Sequence, residues 1–323
     1  MSPPVALAPP IPESRRVVVM PDEGVDPILS AIEGSQRRLY LKIFELSKPK
    51  LIRAVVAAHQ RGVEVRVQLN RIRSDGSFMN GPSNQILRRA GVAVKWCNPR
   101  FTVSHEKSLV VDDQAFICSF NFCGRFFKRV RGYAVITTLK SEVDEILACF
   151  KSDWTRHERS AADSSLLWGG PETRTRILTM LDSATKTLDI QHKKLADACV
   201  LERLLNAVER GARVRFLCSA ERGVHGGDLF ENAACMRILK KHGVEVNQLQ
   251  RPKVHAKLIV VDGRQANVGS INLAVDCFEK RRELGIFLDQ EIELAPLQAT
   301  FEADWARSVP WNPPDPQTIE ADA

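Results

Sequence analysis

Two copies of one short pattern decide how this chain folds. Residues 255–262 read HAKLIVVD and are followed by GSIN at 269–272, whereas residues 105–112 read HEKSLVVD and are followed by CSFN at 118–121. In each copy a histidine and a lysine are separated by one residue at the start of an apolar, alternating run, which is typical of a β-strand. Side chains at positions i and i+2 of a strand point to the same face, so each imidazole and its ammonium group lie together.

The sequence around the two copies also repeats. Residues 31–70 align with residues 180–219 at an offset of 149, and the offset is 150 at His105 and His255. It becomes 151 at an F-x-x-D-W sequence that begins at Phe150 in the first half and recurs in the second. A single H-x-K on a strand is most often a surface feature, but two copies inside an internal duplication point to one shared site.

Strand and helix patterns alternate through each half. The first half has patterns typical of strands at 16–20, 38–44, 63–69 and 92–96, and of helices at 22–33, 49–60 and 84–90. Helices at 141–157 and 291–307 close the two halves. This order predicts an α/β fold of two duplicated βαβ-type lobes, each with a mixed sheet flanked by helices.

Composition suggests where the lobes begin and end. The chain starts with a Pro- and Ala-rich stretch, and Gly169-Gly170-Pro171 is a strong breaker between the halves. We therefore expect a disordered N-terminus at 1–14, a first lobe at 15–160, a linker at 161–171, a second lobe at 172–309 and a loose C-terminal tail at 310–323.

The composition is that of a globular protein. Of 323 residues, 44% are hydrophobic and 26% charged; no run approaches the ~20 apolar residues of a membrane span, and the start lacks the pattern of a secretory signal. The eight cysteines form no C-x-x-C pair, so we expect buried thiols in a reducing compartment and no structural zinc. These features favour a cytoplasmic protein that can act peripherally at the inner face of the membrane.

Positive charge is concentrated in the first half. Residues 1–160 hold 25 Lys/Arg and 16 Asp/Glu, a net of +9, whereas residues 161–323 hold 21 and 23, a net of −2. A basic half suits an anionic partner, either phospholipid head groups or nucleic acid. An ordinary solvated surface would have the same composition, so charge alone does not choose between them.

The two H-x-K-x4-D patterns with their S-x-N turns resemble the signature of the phospholipase D superfamily, and the resemblance covers about residues 15–308. That superfamily includes phospholipases D, cardiolipin and phosphatidylserine synthases, and some nucleases. The resemblance implies two lobes packed about a pseudo-twofold axis with one active site between them. Because both lobes belong to one chain, we expect a monomer.

The paired histidines suit the cleavage of a phosphodiester. This reaction needs a nucleophile, an acid for the leaving oxygen, and cations or donors for the non-bridging oxygens. By the usual order in the family, His105 is expected to attack phosphorus and form a phosphohistidine, while His255 acts as the acid. The remaining motif residues would neutralise or hydrogen-bond the phosphate without a metal or other cofactor: Lys107, Lys257, Asn121, Asn272, Ser119 and Ser270.

Only the second half carries the carboxylate that orients an imidazole in the superfamily. Glu283 follows its motif asparagine by eleven residues, whereas the first half has Gly132 at the aligned position. A nucleophile gains most from a fixed tautomer, so we expect Glu283 to contact His105 across the lobe interface. The first copy also has Cys118 where the second has Gly269, and we expect the larger residue to crowd the turn.

Other residues are secondary candidates. Asp112 and Asp262 are expected to tie backbone amides rather than to touch phosphate. His192 and His225 follow strands in regions that often line a site, and each could instead belong to an ordinary surface loop. The segment Arg125-Phe126-Phe127-Lys128 could dock on a lipid surface or stack on nucleic-acid bases; alternatively, a ring is core and the cations are solvated.

Three functions follow from these features. The first is a peripheral phosphodiesterase or transphosphatidylase that acts on phospholipid head groups, of the phospholipase D or cardiolipin synthase type. The second is a metal-independent nuclease, which the basic first half favours and which would bind polynucleotides with a steep salt dependence. The third is an inactive scaffold that binds lipid or nucleic acid, and two intact sets of His, Lys and Asn argue against it.

Overall fold

A computed structural model describes residues 13–73, 75–158, 164–219 and 227–312. The first lobe contains β1 Arg15–Met20, α1 Asp26–Gly34, β2 Arg38–Ile43, α2 Pro49–Gln60, β3 Glu64–Leu69, α3 Gly81–Arg89, β4 Ala93–Trp96, β5 Val103–Ser104, β6 Lys107–Val111, β7 Gln114–Cys118, β8 Val130–Thr137 and α4 Lys140–Thr155. The second contains α5 Gly170–Asp182, β9 Thr187–His192, β10 Leu195–Ala196, α6 Ala198–Glu209, β11 Arg213–Ser219, α7 Gly227–Lys241, β12 Glu245–Leu249, β13 Lys253–Val254, β14 Lys257–Val261, β15 Gln265–Gly269, β16 Leu273–Ala274, α8 Val275–Glu279, β17 Arg281–Arg282, β18 Gly285–Leu288, α9 Glu291–Ala306 and β19 Val309–Pro310.

Each lobe is built on one mixed sheet. The strand order is β1-β8-β7-β6-β2-β3-β4 in the first sheet and β18-β15-β14-β9-β11-β12-β19 in the second. Strands β2, β3 and β4 are parallel and are joined by helices, whereas β6, β7 and β8 are antiparallel. The second sheet divides in the same way. The predicted fold class, two duplicated α/β lobes with mixed sheets flanked by helices, is confirmed.

The two sheets pack against each other through a shared core. One hydrophobic cluster lies between the first sheet and helices α1, α2 and α3, and another lies between the second sheet and helices α5 to α8. A further cluster joins the two sheets and takes in helices α4 and α9. The lobes are therefore one packed unit. No helix within the described ranges has the length and hydropathy needed to cross a bilayer.

The lobes exchange short strands reciprocally. Strand β17 of the second lobe pairs with β5 of the first, and β13 of the second lobe pairs with β8 of the first, both in parallel. Strands β5 and β13 occupy equivalent positions, immediately before the two motif histidines. The exchange therefore has the symmetry of a pseudo-twofold axis, and it brings each histidine to the boundary between the lobes.

A buried arginine–aspartate pair accompanies each exchange. Arg131 of β8 binds Asp304 of α9 at 2.7 and 3.0 Å, and Arg282 of β17 binds Asp153 of α4 at 3.0 Å through two nitrogens. Each pair joins the two lobes, and both aspartates belong to the repeated F-x-x-D-W sequences. Although burial favours protonation of Asp153, Lys42 and Arg282 hold its pKa at about 2. The repeated sequence thus supplies two interlobe carboxylates.

The ends of the lobes differ from the predicted boundaries. Trp311 is buried and Val309–Pro310 pairs with β12, so the chain after residue 309 is not loose where it leaves the second lobe. Residues 166–168 of the predicted linker are buried, and α5 begins at Gly170 rather than after the breaker. Helix α3 begins at Gly81 instead of residue 84, because Pro82 suits a first helical turn. The expected disorder at 1–12 and 313–323 falls outside the described residues.

Removing the carboxylate of Asp304 should destabilise the protein strongly. Arg131 would stay buried with the Met20 carbonyl oxygen and the exposed Asp22 carboxylate as its partners, and breaking a buried ion pair costs about 3–5 kcal/mol. We expect the urea midpoint of Asp304→Ala to fall accordingly. The control is Asp113→Ala, whose pair with Arg37 is more than half exposed on both sides and contributes about 0–1 kcal/mol. Equal losses in the two variants would contradict the proposed role of the buried pair.

Candidate active site

A cavity of roughly 630 Å³ lies between the two lobes and contains both motif histidines and both motif asparagines. Its wall carries more cations than carboxylates. The cations are Arg73, Arg125, Lys193, Lys194, Lys253 and Arg281, and the carboxylates are Glu45, Asp75 and Asp276. A concave surface with this excess of positive charge attracts an anionic ligand.

The strand exchange fixes the backbone of each histidine. The N–H of His105 donates to the carbonyl oxygen of Arg282 at 2.8 Å, and the N–H of His255 donates to that of Arg131 at 2.9 Å. These are the arginines that the interlobe aspartates bind. Each imidazole is therefore positioned by a segment that belongs to the other lobe.

The ring of His105 is held by a carboxylate. Its Nδ1 lies 3.0 Å from both oxygens of Glu283, which reaches it from the second lobe. Ser270 donates a hydrogen bond to Glu283, and the edge of Phe44 packs on the imidazole with ring centroids 5.2 Å apart. Because Nδ1 is engaged, the tautomer is fixed and Nε2 is the nitrogen that remains for chemistry. This is the contact that the aligned position of Glu283 predicts.

The ring of His255 is held by a backbone carbonyl instead. Its Nδ1 lies 3.0 Å from the carbonyl oxygen of Ser119 in the first lobe. Phe126 packs edge-on against the imidazole at 4.8 Å between centroids, and Lys257 Nζ lies 3.1 Å from Nδ1. A neutral acceptor does not stabilise an imidazolium as a carboxylate does, so the two imidazoles differ in their electrostatic support.

The first lobe has no room for a second carboxylate at the equivalent position. A Cβ atom at Gly132 would lie 2.9 Å from Ser119 Oγ and 3.2 Å from Phe120 Cδ1. Any side chain there would require shifts of the Phe120 ring and of the hydroxyl of Ser119, the residue whose carbonyl holds His255. The absence of a glutamate is thus built into the packing around the second imidazole.

Cys118 does not interrupt the turn of the first copy, contrary to the expected crowding. Gly269 is required by a close approach, because a Cβ atom there would lie 2.5 Å from Cα of Gly285. In the first lobe Cys118 is buried and pairs in register with Ala134. The cysteine is therefore accommodated within the ladder of β7 and β8.

Burial shifts the proton equilibria of the site. It raises the pKa of Glu283 to about 7 and lowers the pKa of Lys107 to about 7. Burial, and then the charge of the neighbouring lysine, lowers the pKa of His105 and of His255 well below the usual range of an imidazole. The pKa of Lys257 is lowered in the same way. Positive charge is disfavoured here unless an anion compensates it, so a bound phosphate would favour the protonated lysines.

The other motif residues divide into two groups. Asn121 and Asn272 line the cavity, and their buried Oδ1 atoms have no hydrogen-bond partner among the described residues. The two serines hold strands together: Ser119 Oγ accepts from the Tyr133 N–H and Ser270 Oγ from the Leu284 N–H. Their hydroxyls are thus used inside the protein rather than on a ligand.

The motif aspartates hold turns, as expected. Asp112 accepts hydrogen bonds from the backbone N–H groups of residues 36–38, and Asp262 accepts from those of residues 185–187. Each carboxylate thereby fastens the turn after the motif strand to the preceding helix–strand connection. Neither aspartate lines the cavity.

Several predicted substrate contacts need correction. Phe126 and Phe127 are only 3% and 5% exposed because they pack on His255 and on the aromatic core of the first lobe, so neither can insert into a membrane. Arg125 and Phe126 do line the cavity, but the buried Phe127 and the exposed Lys128 do not. His192 is 1% exposed, is paired in register with Lys257, and does not line the cavity. His225 lies outside the described residues.

Other lining residues escape prediction from the sequence. Phe44 follows β2, and Lys193 follows β9 at the equivalent position, so both stand where strands end. Arg73 comes from a loop and Arg281 from the short strand β17, and neither segment carries a recognisable motif. The position of the strand ends would have indicated the first two, whereas the arginines depend on the packing of the lobes.

A group of potential metal ligands lies behind the site. Atoms of Glu106, Cys149 and Asp153 come within 4.8 Å of one another, and all three residues are buried. Lys42 Nζ already lies 2.9 Å from Glu106 and 2.7 Å from Asp153. The ammonium group of Lys42 therefore supplies positive charge to these two carboxylates, as a bound metal ion would.

Comparison with known proteins places the chain in a family. A model described as "Cardiolipin synthase, PLD-like domain", where PLD denotes phospholipase D, matches residues 28–154 and again residues 177–305. The chain belongs to the phospholipase D superfamily. Cardiolipin synthase B of Salmonella typhi is 26% identical over 301 residues, which cover 78% of this chain and 70% of the relative.

Solved structures agree on the fold. Phosphatidylserine synthase of Haemophilus influenzae Rd KW20 superposes with a TM-score of 0.69 and 12% identity, over 92% of this chain and 87% of that one. Polyphosphate kinase of Porphyromonas gingivalis gives a TM-score of 0.73 and 14% identity, over 93% of this chain and 49% of that one. At these identities the likeness extends to the fold alone.

Binding of a phosphate-like anion should draw protons into the site. At pH 8 Lys107, with a pKa of about 7, is mostly neutral, and a bound anion raises that pKa, so tungstate is expected to bind with proton uptake. Calorimetry in two buffers with different ionisation enthalpies measures it. Lys107→Met combined with Lys257→Met should remove most of the uptake, whereas Lys140→Met, on an exposed side chain, should not. Binding to the wild-type protein without proton exchange would disprove the charge assignment.

Proposed function

We propose that this protein is a phosphodiesterase or transphosphatidylase that acts on phospholipid head groups through a phosphohistidine intermediate. The observation that carries the proposal is the pair of imidazoles, each held through Nδ1, that face one cationic cavity. A nucleophile and an acid on opposite sides of a phosphate are what in-line displacement at phosphorus requires. The match to the cardiolipin synthase family supports the choice of substrate.

In the first step His105 is the nucleophile. Its Nε2 attacks phosphorus while the bond from phosphorus to the leaving oxygen breaks. The bound phosphate anion favours the protonated form of His255, which gives its Nε2 proton to that oxygen. The lysines and asparagines of the two motifs receive the non-bridging oxygens, so their charge and donors act where negative charge accumulates. The product alcohol leaves, and a phosphatidyl group remains on His105.

In the second step an acceptor resolves the intermediate. His255, now neutral, takes a proton from water or from an alcohol, and the resulting oxygen attacks phosphorus as the bond to His105 breaks. Water gives hydrolysis, and an alcohol such as a glycerol head group gives transfer. Throughout, Glu283 stabilises the charge that develops on His105.

We also propose a peripheral, cytoplasmic setting at the inner face of the membrane. The eight cysteines are free thiols, which suits a reducing compartment. One chain supplies both halves of the site, so a monomer suffices for activity. The substrate phosphate would be met at the bilayer surface, where cations on the protein gain from the anionic leaflet.

A nuclease is the second candidate, and the six cations on the cavity wall favour it. Single-stranded nucleic acid is usually bound by cations together with exposed aromatic platforms. Of the two phenylalanines that could have formed such a platform, Phe127 is buried, and Phe126 lines the cavity but is 3% exposed and packs against His255. The lipid substrate is therefore preferred.

A parallel assay separates the two functions. With EDTA present, one reaction contains phosphatidylglycerol vesicles and ethanol, and the other contains single-stranded DNA. We expect phosphatidylethanol or cardiolipin from the wild-type protein, no product from His105→Asn, and no DNA cleavage. DNA fragments without lipid products would replace the proposal with the nuclease, and inactivity in both reactions would favour a binding scaffold.

Replacing Glu283 by glutamine should slow the first step and alter its pH dependence. The carboxyl, with a pKa of about 7, stabilises positive charge on His105 only when it is ionised, so the wild-type rate should rise as the pH increases through about 7. In Glu283→Gln this rise should disappear, with a loss on the order of 10²–10⁴-fold. Rapid-quench measurement of the phosphoenzyme tests this. Normal formation with slowed breakdown would instead assign Glu283 to the second step.

A further inference from the structure

An apolar groove of roughly 470 Å³ opens beside the catalytic cavity. It is lined by residues of the β2–α2 connection, of helices α2 and α3, and of the loop that precedes α3: Leu46, Ile52, Phe78, Met79, Pro82 and Ile86. The groove and the cavity share two wall residues, Glu45 and Arg73. A ligand held at the histidines could therefore continue into the groove.

The surface around the groove is unusually apolar for this lobe. Ile72, Phe78 and Ile86 are 44%, 57% and 49% exposed, and they are the large hydrophobic side chains exposed in the described part of the first lobe. Ile72 and Phe78 face each other across an isolated β-bridge. Grouped exposure of this kind marks an interaction site rather than ordinary surface variation.

The floor of the groove is rigid and is tied to the catalytic histidine. Asn80 accepts a hydrogen bond from the Leu46 N–H at 2.9 Å and donates to the carbonyl oxygens of Phe44 and Asn70, both at 2.8 Å. Phe44 is the ring that packs on His105. The groove is thus preformed and has a fixed position relative to the reacting atoms.

The charges at the groove suit a lipid that is apolar in one part and anionic in another. Arg53 lies on its wall, and Arg73 stands where it meets the catalytic cavity. The carboxylate of Glu45 lies between them and forms ion pairs with Arg125 at 3.3 Å and with Arg73 at 3.9 Å. A polynucleotide would place charged phosphates along its whole length, which an apolar groove cannot match.

We propose that this groove binds one acyl chain of the phospholipid whose phosphodiester lies between His105 and His255. The proposal rests on the proposed function and narrows it to substrates with long chains. A chain that follows the shared wall leaves the phosphate among the cations and buries its methylenes against Ile52, Phe78 and Ile86. The exposed rims then face the bilayer from which the chain is drawn.

Chain-length dependence in solution tests the groove without interference from membrane binding. Dibutyroyl and dihexanoyl phosphatidylglycerol are compared as monomers, below their aggregation concentrations. Each methylene that enters an apolar site contributes about fourfold, so two more in one chain should raise kcat/KM roughly 15-fold in the wild-type protein. Phe78→Asp combined with Ile86→Asp should reduce that preference to about twofold or less.

The control is Ile292→Asp, which changes an 80% exposed isoleucine on α9 and should keep the full preference. Turnover of bis(p-nitrophenyl) phosphate, which has no acyl chain, should be retained by the double variant and shows that it is folded. Wild-type hydrolysis of both lipids at equal kcat/KM, or an unchanged preference in the double variant, overturns the groove while leaving the proposed function intact. Turnover of bis(p-nitrophenyl) phosphate without action on either lipid overturns the proposed function, and the groove proposal with it.

Discussion

The backbone N–H of each motif histidine donates to a carbonyl oxygen of the opposite lobe, and a buried ion pair fixes the residue that bears that carbonyl. Arg282 is held by Asp153 and receives the N–H of His105; Arg131 is held by Asp304 and receives the N–H of His255. Charges buried this deeply are tolerated only with complete pairing. Closure of the lobes and assembly of the reacting groups are therefore one event, since neither histidine is positioned until the other lobe has docked.

The two halves of the site are copies that have taken different roles. In the proposed mechanism, the carboxylate behind His105 stabilises the charge that grows when this ring bonds to phosphorus, whereas His255, hydrogen-bonded to a carbonyl, gives up and retakes a proton more easily. The lobe that holds His105 also supplies the apolar groove. The cations on the cavity wall come mostly from the other lobe, which provides Lys193, Lys194, Lys253 and Arg281. The proposed nucleophile and chain-binding groove thus lie in one half of the chain, and most of the charge that attracts the anion lies in the other.

The site residues that depend on local spacing can be predicted from the sequence. The H-x-K pattern identifies the histidines and lysines because strand geometry alone puts them on one face. The resemblance to the superfamily indicates Glu283, and the offset between the repeats shows that Gly132 is its counterpart. Properties created by tertiary packing cannot be predicted in this way: the sequence leaves open whether Phe126 is a surface or a core ring, and only the fold shows that it packs against His255. Likewise, the aspartate of F-x-x-D-W cannot be assigned without its partner arginine in the other lobe. The groove cannot be predicted from the sequence for the same reason, because its residues come from separate segments that meet only in the fold.

The packing at Gly132 has a consequence for how such a site can arise. Two separate, identical lobes associating as a symmetric dimer would necessarily carry the same residue behind both imidazoles, either two carboxylates or none. Joining the copies in one polypeptide removes that constraint. Glycine and glutamate can then occupy equivalent places, and a symmetric pair of bases becomes a differentiated nucleophile and proton carrier. Because both lobes belong to one polypeptide, the difference between the two imidazole environments is encoded in its sequence and is inherited with it.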